Sequence, residues 1–280
     1  MQIDAALRTA ISTNVAAALA EDVGSGDISA ALIDPSRRAR ARVITREPGV
    51  FCGAPWVLET LAALGGSVSA EFAVPDGTAV AAGATLFTLE GPASTMLTAE
   101  RTLLNFVQLL SGTATATRAF VDLLMGTHTQ LLDTRKTIPG LRLAQKYAVR
   151  CGGGKNHRLG LYDAFLIKEN HITAAGSIPA AIAAARAYRP GSPIEVEVET
   201  LAQLDEAIAA GADIAMLDNF SLADTSTAVA RAAGRIRLEA SGGIDAQSIV
   251  AIARTGVDYI SLGIITKQVL PLDLSMRFID

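Results

Sequence analysis

The sequence is poor in cysteine, in aromatic residues and in long apolar runs. Only Cys52 and Cys151 occur in 280 residues, which excludes a disulfide framework. No stretch stays apolar over the ~18 residues or more that a membrane span needs. The uncharged run from Ile172 to Ala185 is interrupted by Gly176 and Pro179. Met1 to Ala10 show no basic segment followed by an apolar one, so a cytoplasmic location is expected rather than a secreted one. A strong charge of either sign is also lacking. Twenty-four basic against 28 acidic residues give −4, which argues against nucleic acid or a membrane surface as partner. What the chain has in plenty is apolar side chains, half of the total, enough for a substantial core.

The composition changes near residue 112, which suggests domains at 1–112 and 113–266. In the first part, residues 1–20 read as an amphipathic helix and 37–50 as a strand entering a turn at Pro48-Gly49. Pro55 to Leu64 reads as a helix stopped by Gly65-Gly66. Residues 67–91 alternate and turn, with Pro75-Asp76-Gly77 and Gly83 as breakers, and read as antiparallel strands. Residues 98–124 have helical periodicity. Then short β-rich runs alternate with alanine-rich helical stretches. The runs are 129–133, 164–168, 194–199, 214–218, 236–240 and 258–262; the helices include 141–150, 177–188, 200–210, 221–233 and 245–254. Repeated β-then-α units imply a parallel sheet, and six without a dinucleotide fingerprint favour a barrel. Residues 267–280 break this rhythm and are open to rejoining the first domain.

Nearly every candidate strand ends in reactive side chains: Asp133-Thr134-Arg135-Lys136, Lys168-Glu169-Asn170-His171, Glu197 and Glu199, Asp218-Asn219, Glu239-Ala240-Ser241-Gly242-Gly243, and Ser261-Leu262-Gly263. In an α/β barrel those ends form the active-site face. From Thr134 to Tyr162 there are seven basic residues and no acidic one. Around Gly152-Gly153-Gly154 that reads as a concave positive site for a polyanion, and arginine suits carboxylates because its fork binds them bidentately. Ser241-Gly242-Gly243 and Ser261-Leu262-Gly263 suit phosphate on exposed amides. Glu197 and Asp218, on neighbouring strand ends amid cations, suggest Mg²⁺ and ribose hydroxyls rather than acid–base chemistry. Structural salt bridges are the plainer alternative for that pair. His157 is open between a structural and a functional role, as is His171. Cys151 reads as a buried thiol rather than a nucleophile. If Thr98 caps a helix, Arg101 falls at its third position, where a cation is unfavourable. That hints at function or at a salt bridge to Glu100.

Taken in order, Thr134-Arg135-Lys136-Thr137 with Pro139-Gly140, Lys146 through Gly152–Gly154 to His157-Arg158, Leu166 to His171, Glu195-Val196-Glu197, Met216 to Asn219, Ser241 to Gly243, and Gly256-Val257-Asp258 with Ser261 resemble the quinolinate phosphoribosyltransferases. Glu21-Asp22, Gly24, Gly26, Asp27, Glu100-Arg101 and Asn105 resemble that family's first domain. The resemblance covers nearly the whole chain. It implies an N-terminal α/β sandwich followed by an incomplete TIM-like α/β barrel. It also implies a homodimer in which the partner's first domain completes each site, so that Arg101 enters the neighbour's site. Arg135, His157, Arg158 and Lys168 would then hold the two carboxylates of quinolinate. Lys136, Glu197 and Asp218 would meet phosphoribosyl pyrophosphate and Mg²⁺, and Ser241, Gly242, Gly243, Ser261 and Gly263 its phosphates. Lys136, Lys168, Glu197 and Asp218 would carry the catalysis, and no organic cofactor is called for. After the pyridine nitrogen attacks the ribose, its positive charge lets the 2-carboxylate leave as carbon dioxide. Lys136, Lys168 or water could supply the proton that replaces it.

The alternatives are a paralogue encoded with molybdenum transport, a nicotinate phosphoribosyltransferase and a lipoyl-type carrier. Lys168 disfavours the first, and the number of cations disfavours the second. The absence of a lysine at Pro75–Gly77 disfavours the third.

Overall fold

The computed structural model describes residues 3–279. Its elements, in chain order, begin with α1 (Ala5–Asp22), β1 (Arg38–Thr45), β2 (Gly49–Val50), α2 (Ala54–Ala63), β3 (Ser69–Phe72), β4 (Ala79–Val80), β5 (Thr85–Pro92) and α3 (Ala93–Leu123). They continue with β6 (Gln130–Leu132), α4 (Arg142–Cys151), β7 (Phe165–Ile167), α5 (Glu169–Ala175), α6 (Ile178–Tyr188), β8 (Ile194–Val198), α7 (Leu201–Ala209) and β9 (Ile214–Asp218). The last are α8 (Leu222–Ala232), β10 (Arg237–Ser241), α9 (Ile249–Ala253), β11 (Tyr259–Ser261), α10 (Ile264–Lys267) and β12 (Leu274–Phe278).

Two compact units result. The first comprises residues 1–118, 137–153 and 264–280; the second comprises 119–136 and 154–263. The composition change near 112 therefore falls inside α3, which runs unbroken past it. The first unit is an α/β sandwich. Its antiparallel sheet has the order β12-β1-β5-β3, so the chain's last strand lies beside its first. Alternation along β1 and β5 turns Ala41, Val43, Phe87 and Leu89 onto the buried face, against Leu61 of α2 and Leu103 and Val107 of α3. Full burial of a side chain such as Phe87 contributes about 2 kcal/mol. A second cluster joins Leu7 and Ile11 of α1, Trp56 of α2, Phe106 of α3 and Tyr147 of α4.

α3 begins at Ala93, five residues before Thr98. Thr98 is therefore no cap. Its hydroxyl donates to Ser94 O and to Asp27 Oδ2, which it can do from inside a helix. Arg101 thus sits in mid-helix, away from the positive helix end. It is exposed and makes no ion pair with Glu100 among the described residues.

The second unit is an incomplete barrel of six parallel strands in the order β6-β11-β10-β9-β8-β7, with β6 and β7 as open edges. Helices α6, α7 and α8 each start at a Ser or Thr that caps them: Ser177 accepts from Ala180 N, Thr200 from Gln203 N and Ser221 from Asp224 N. The caps of α7 and α8 come within three residues of a strand end, so these helices leave the sheet through short loops. The chain after β7 turns directly into a further helix. It forms α5, capped where the Lys168 amide donates to His171 Nδ1 at 3.0 Å. His171 is thus a capping residue, which closes the question left open for it.

Candidate functional site

At the carboxyl ends of the barrel strands lies a cavity of about 280 Å³, lined entirely by the second unit. Its cationic wall comes from three segments. The first follows β6, where Thr134 Oγ1 accepts the Lys136 amide at 3.0 Å and closes a tight turn that presents Arg135 and Lys136. The second is 155–158, which runs along the free edge of β6. The Lys155 amide donates to Leu131 O at 2.8 Å and the Asp133 amide to Lys155 O at 3.1 Å. Asp133 is fully buried and fastens this stretch. Its Oδ1 accepts the His157 amide at 2.9 Å and its Oδ2 accepts Asn156 Nδ2 at 2.6 Å. Arg158 is thereby brought beside Arg135. The third segment is the end of β7, with Lys168.

Arg135 Nε is buried with no hydrogen-bond partner among the described residues. Burial and the neighbouring Arg135 charge hold the Arg158 pKa below its usual value. Two crowded guanidinium groups with unmet hydrogen-bonding capacity are complementary to a planar dianion. Lys168 Nζ meets Glu197 Oε2, so these two residues, which the family resemblance implies for different ligands, are partners in the structure.

The opposite wall carries Glu197 of β8, Asp218 of β9, Ser241 of β10 and Ser261 of β11. They converge because alternate residues of each strand point inward, and register pairs Ser241 with Asp218. Asp218 Oδ2 accepts Asn219 Nδ2 at 3.1 Å. Asn219 is left-handed (φ 56°), and a Cβ on Gly242 (φ 91°) would fall 2.2 Å from its Oδ1. Only glycine fits there. A Cβ on Gly263 would lie 2.8 Å from Lys136 Cδ, so a side chain there would displace the Lys136 chain.

Of the residues expected at the site, Arg135, Lys136, His157, Arg158, Lys168, Glu197, Asp218, Ser241, Gly242 and Ser261 line this cavity. Gly243 and Gly263 do not, and Arg101 belongs to the first unit. The basic run is not one site. Arg142, Lys146 and Arg150 recur every four residues and so lie on α4, in the first unit, with Lys146 fully buried. Cys151 is buried beside Cys52, whose thiol pKa is pushed up by burial and by that neighbour. That is the environment of an inert thiol rather than a nucleophile.

Sequence reasoning gave no role to the floor of the cavity. Glu239 is fully buried and Glu195 nearly so. His157 Nε2 lies 2.8 Å from Glu195 Oε2 and 3.6 Å from Glu239 Oε2. Burial first, then the Glu195 charge, raise the Glu239 pKa well above the carboxylate range. The available signal was positional. In Ile194–Val198 and Arg237–Ser241 the glutamates occupy alternate places, on the inward face of strands buried on both sides.

A model of the quinolinate phosphoribosyl transferase C-terminal domain matches residues 113–277, and one of the N-terminal domain matches residues 27–111. The chain is 46% identical over 258 residues to the probable nicotinate-nucleotide pyrophosphorylase [carboxylating] of Bacillus subtilis, covering 91% of this chain and 89% of that one. It is 44% identical over 266 residues to the nicotinate-nucleotide pyrophosphorylase [carboxylating] of Mycobacterium leprae, covering 92% and 94%. The solved structure of the nicotinate-nucleotide pyrophosphorylase from Francisella tularensis superposes with a TM-score of 0.96 at 50% identity, over 99% of both chains.

Proposed function

The chain belongs to the quinolinate phosphoribosyl transferase family, and from that premise we propose that it joins quinolinate to phosphoribosyl pyrophosphate, yielding nicotinate mononucleotide, pyrophosphate and carbon dioxide on the way to NAD. The observation that carries this reading is the meeting of Arg135, Arg158 and Lys168 with Glu197 and Asp218 around one cavity. Two anionic reactants must be held there together, and cations from separate segments do so without folding around either one.

Arg135 and Arg158 take the quinolinate carboxylates, with Lys168 released from Glu197 to join them. Lys136, Ser241, Gly242 and Ser261 attend the phosphates, while Gly243 and Gly263, outside the cavity lining, shape the turns that carry them. Glu197 and Asp218 fit a Mg²⁺ ion. One oxygen of each is engaged, by Lys168 and by Asn219, and the other is without a protein hydrogen bond among the described residues. Two hard carboxylate donors beside a phosphate subsite suit that ion. When bound, Mg²⁺ supplies charge neutralisation for the departing pyrophosphate. The same carboxylates order the ribose hydroxyls while the pyridine nitrogen attacks. The protein's contribution is positioning and preorganised charge.

The reading extends to a homodimer in which Arg101 of one protomer reaches the other's site; its support is an exposed arginine without an ion-pair partner among the described residues. A cytoplasmic setting is supported by two buried, unlinked thiols. No described helix is long and apolar enough to cross a membrane. Incubation with quinolinate, phosphoribosyl pyrophosphate and Mg²⁺ should give nicotinate mononucleotide and one carbon dioxide per turnover. Turnover of nicotinate but not quinolinate would refute the proposal.

A further inference from the structure

The cluster of His157, Glu195 and Glu239 beneath the cavity has ligand atoms within 4.8 Å of one another, close enough to hold a metal ion. The hydrogen bonding of the imidazole decides against a metal. His157 Nδ1 accepts the Arg158 amide at 2.7 Å, so its lone pair is used and the ring's proton resides on Nε2. A protonated nitrogen cannot ligate a metal; it faces Glu195 as a donor. The cluster therefore stores protons.

Glu239 stands out within it. Both of its oxygens are buried, and among the described residues neither makes a well-formed hydrogen bond; the Ser261 hydroxyl and the Glu195 carboxyl stand nearest. The charged groups around it are acidic: Glu195 on β8 and Asp133 after β6, with the Ser261 hydroxyl of β11 as the one group favouring ionisation. His157 Nε2 lies closer to Glu195, at 2.8 Å, than to Glu239, at 3.6 Å. A carboxylate so enclosed would lack a countercharge and most of its hydration, a state that proteins relieve by keeping the proton.

Glu239 also occupies a boundary. It lines the catalytic cavity together with Ser261 and Lys168. It equally lines a second cavity of about 220 Å³, which reaches the amino ends of the strands at Gln130, Pro193 and Ile214. His157 likewise borders both cavities. One face of the acid thus looks toward the reactants and the other toward a separate mouth.

We propose that Glu239 is the acid that returns a proton to the pyridine ring after carbon dioxide leaves, and that it is reloaded through the second cavity. This rests on the functional reading above. The bond between ring C2 and its carboxylate breaks, the electron pair stays on C2, and carbon dioxide departs. The Glu239 O–H bond then breaks, a C2–H bond forms, and Glu239 is left as carboxylate. A solvent proton, relayed by water from the strand amino ends, restores the acid and leaves its conjugate base in bulk solution, so each turnover takes up one proton from the medium and atoms and charge balance. Neither Lys136 nor Lys168 has to give up the charge that holds an anion.

Glu239→Gln keeps size and hydrogen-bonding groups but removes the acidic proton. It should lower kcat at least a hundredfold, the usual contribution of a general acid, while the KM for quinolinate and its calorimetric affinity change less than threefold. In Glu239→Ala, formic acid should restore turnover in proportion to its undissociated form, which a merely structural vacancy would not do. A folded Glu239→Gln with kcat within threefold of the parent, or the lack of any formate rescue, overturns the proposal. If neither variant folds, infrared spectra of the parent protein decide. An undissociated carboxyl stretch at neutral pH that bleaches and returns within one turnover supports the assignment, and its absence overturns it. Failure of the parent protein to convert quinolinate would instead strike the functional reading itself.

Discussion

Arg135 keeps a buried Nε without a protein acceptor, and Arg158 is held next to it by the grip of Asp133 on segment 156–157. Such a pair is costly without an anion and favourable with one. Removing either guanidinium strands a substrate carboxylate opposite empty space. Breaking a buried charge pair costs on the order of 3–5 kcal/mol, or about a hundred- to several-thousand-fold in rate. Arg135→Ala and Arg158→Ala should therefore lose kcat/KM for quinolinate by that factor, while circular dichroism and melting remain close to the parent. Near-normal turnover in both variants would remove them from the site. His157 differs from these arginines. Its Nδ1 takes a backbone amide and its Nε2 faces Glu195, so both ring nitrogens are turned to the protein rather than to a quinolinate carboxylate.

At the level of elements, the strand ends were readable because β6 to β11 each carry polar residues after a short β-rich run. The alternation in Ile194–Val198 reports which of them point inward. Of the expected strand runs, 214–218 coincides with β9 and 236–240 is β10 displaced by one residue, while 129–133, 164–168, 194–199 and 258–262 overrun their strands by one or two residues. Two features could not be read. α5 is hidden because its N-cap is Lys168, outside the usual Ser, Thr, Asp and Asn set, and the Lys168 amide is met instead by His171 at the third helical position. The start of α3 is hidden because Ala93 follows Pro92 directly and is held by a bond from its amide to Arg37 O, a contact distant in sequence. Thr98 then looks like a cap although it is interior. Spacing also misled in the basic run, since it cannot reveal that 142–151 folds away with the first unit.

The turn after β10 allows a controlled test. Gly242 and Gly243 are both left-handed, at φ 91° and 61°, so alanine at either costs about 1–2 kcal/mol of backbone strain. They differ in surroundings. A Cβ at Gly242 would strike Asn219, the residue after Asp218, whereas nothing lies within 4 Å of one at Gly243. Gly242→Ala should raise the KM for phosphoribosyl pyrophosphate about tenfold or more, beyond any shared loss of stability. Gly243→Ala should show the stability loss alone. Equal KM values for the two variants would mean that the Asn219 contact does not shape the phosphate subsite.

For the whole molecule, the question is whether one chain suffices for one site. The cavity is lined by the second unit alone, and its sheet stays open between β6 and β7. Beside β7, Leu161, Tyr162 and Tyr188 are 75%, 68% and 85% exposed. Apolar exposure on that scale, concentrated at an open sheet edge, marks a surface that gains by association. Arg101, exposed on α3 and without an ion pair, is the cation that the reading assigns to the neighbour's site. If that assignment holds, each site needs Arg135 from one protomer and Arg101 from the other. Arg101→Ala and Arg135→Ala homodimers should then both be nearly inactive. After unfolding and refolding of an equimolar mixture, half the dimers are mixed. In each of these, one site carries both defects and the other carries neither. The population should recover about a quarter of parental activity, since one site in four is whole. Differently tagged chains purified as heterodimers should recover about half. Verified heterodimers with no recovered activity would show that Arg101 serves its own chain or none, and the shared-site reading would fail.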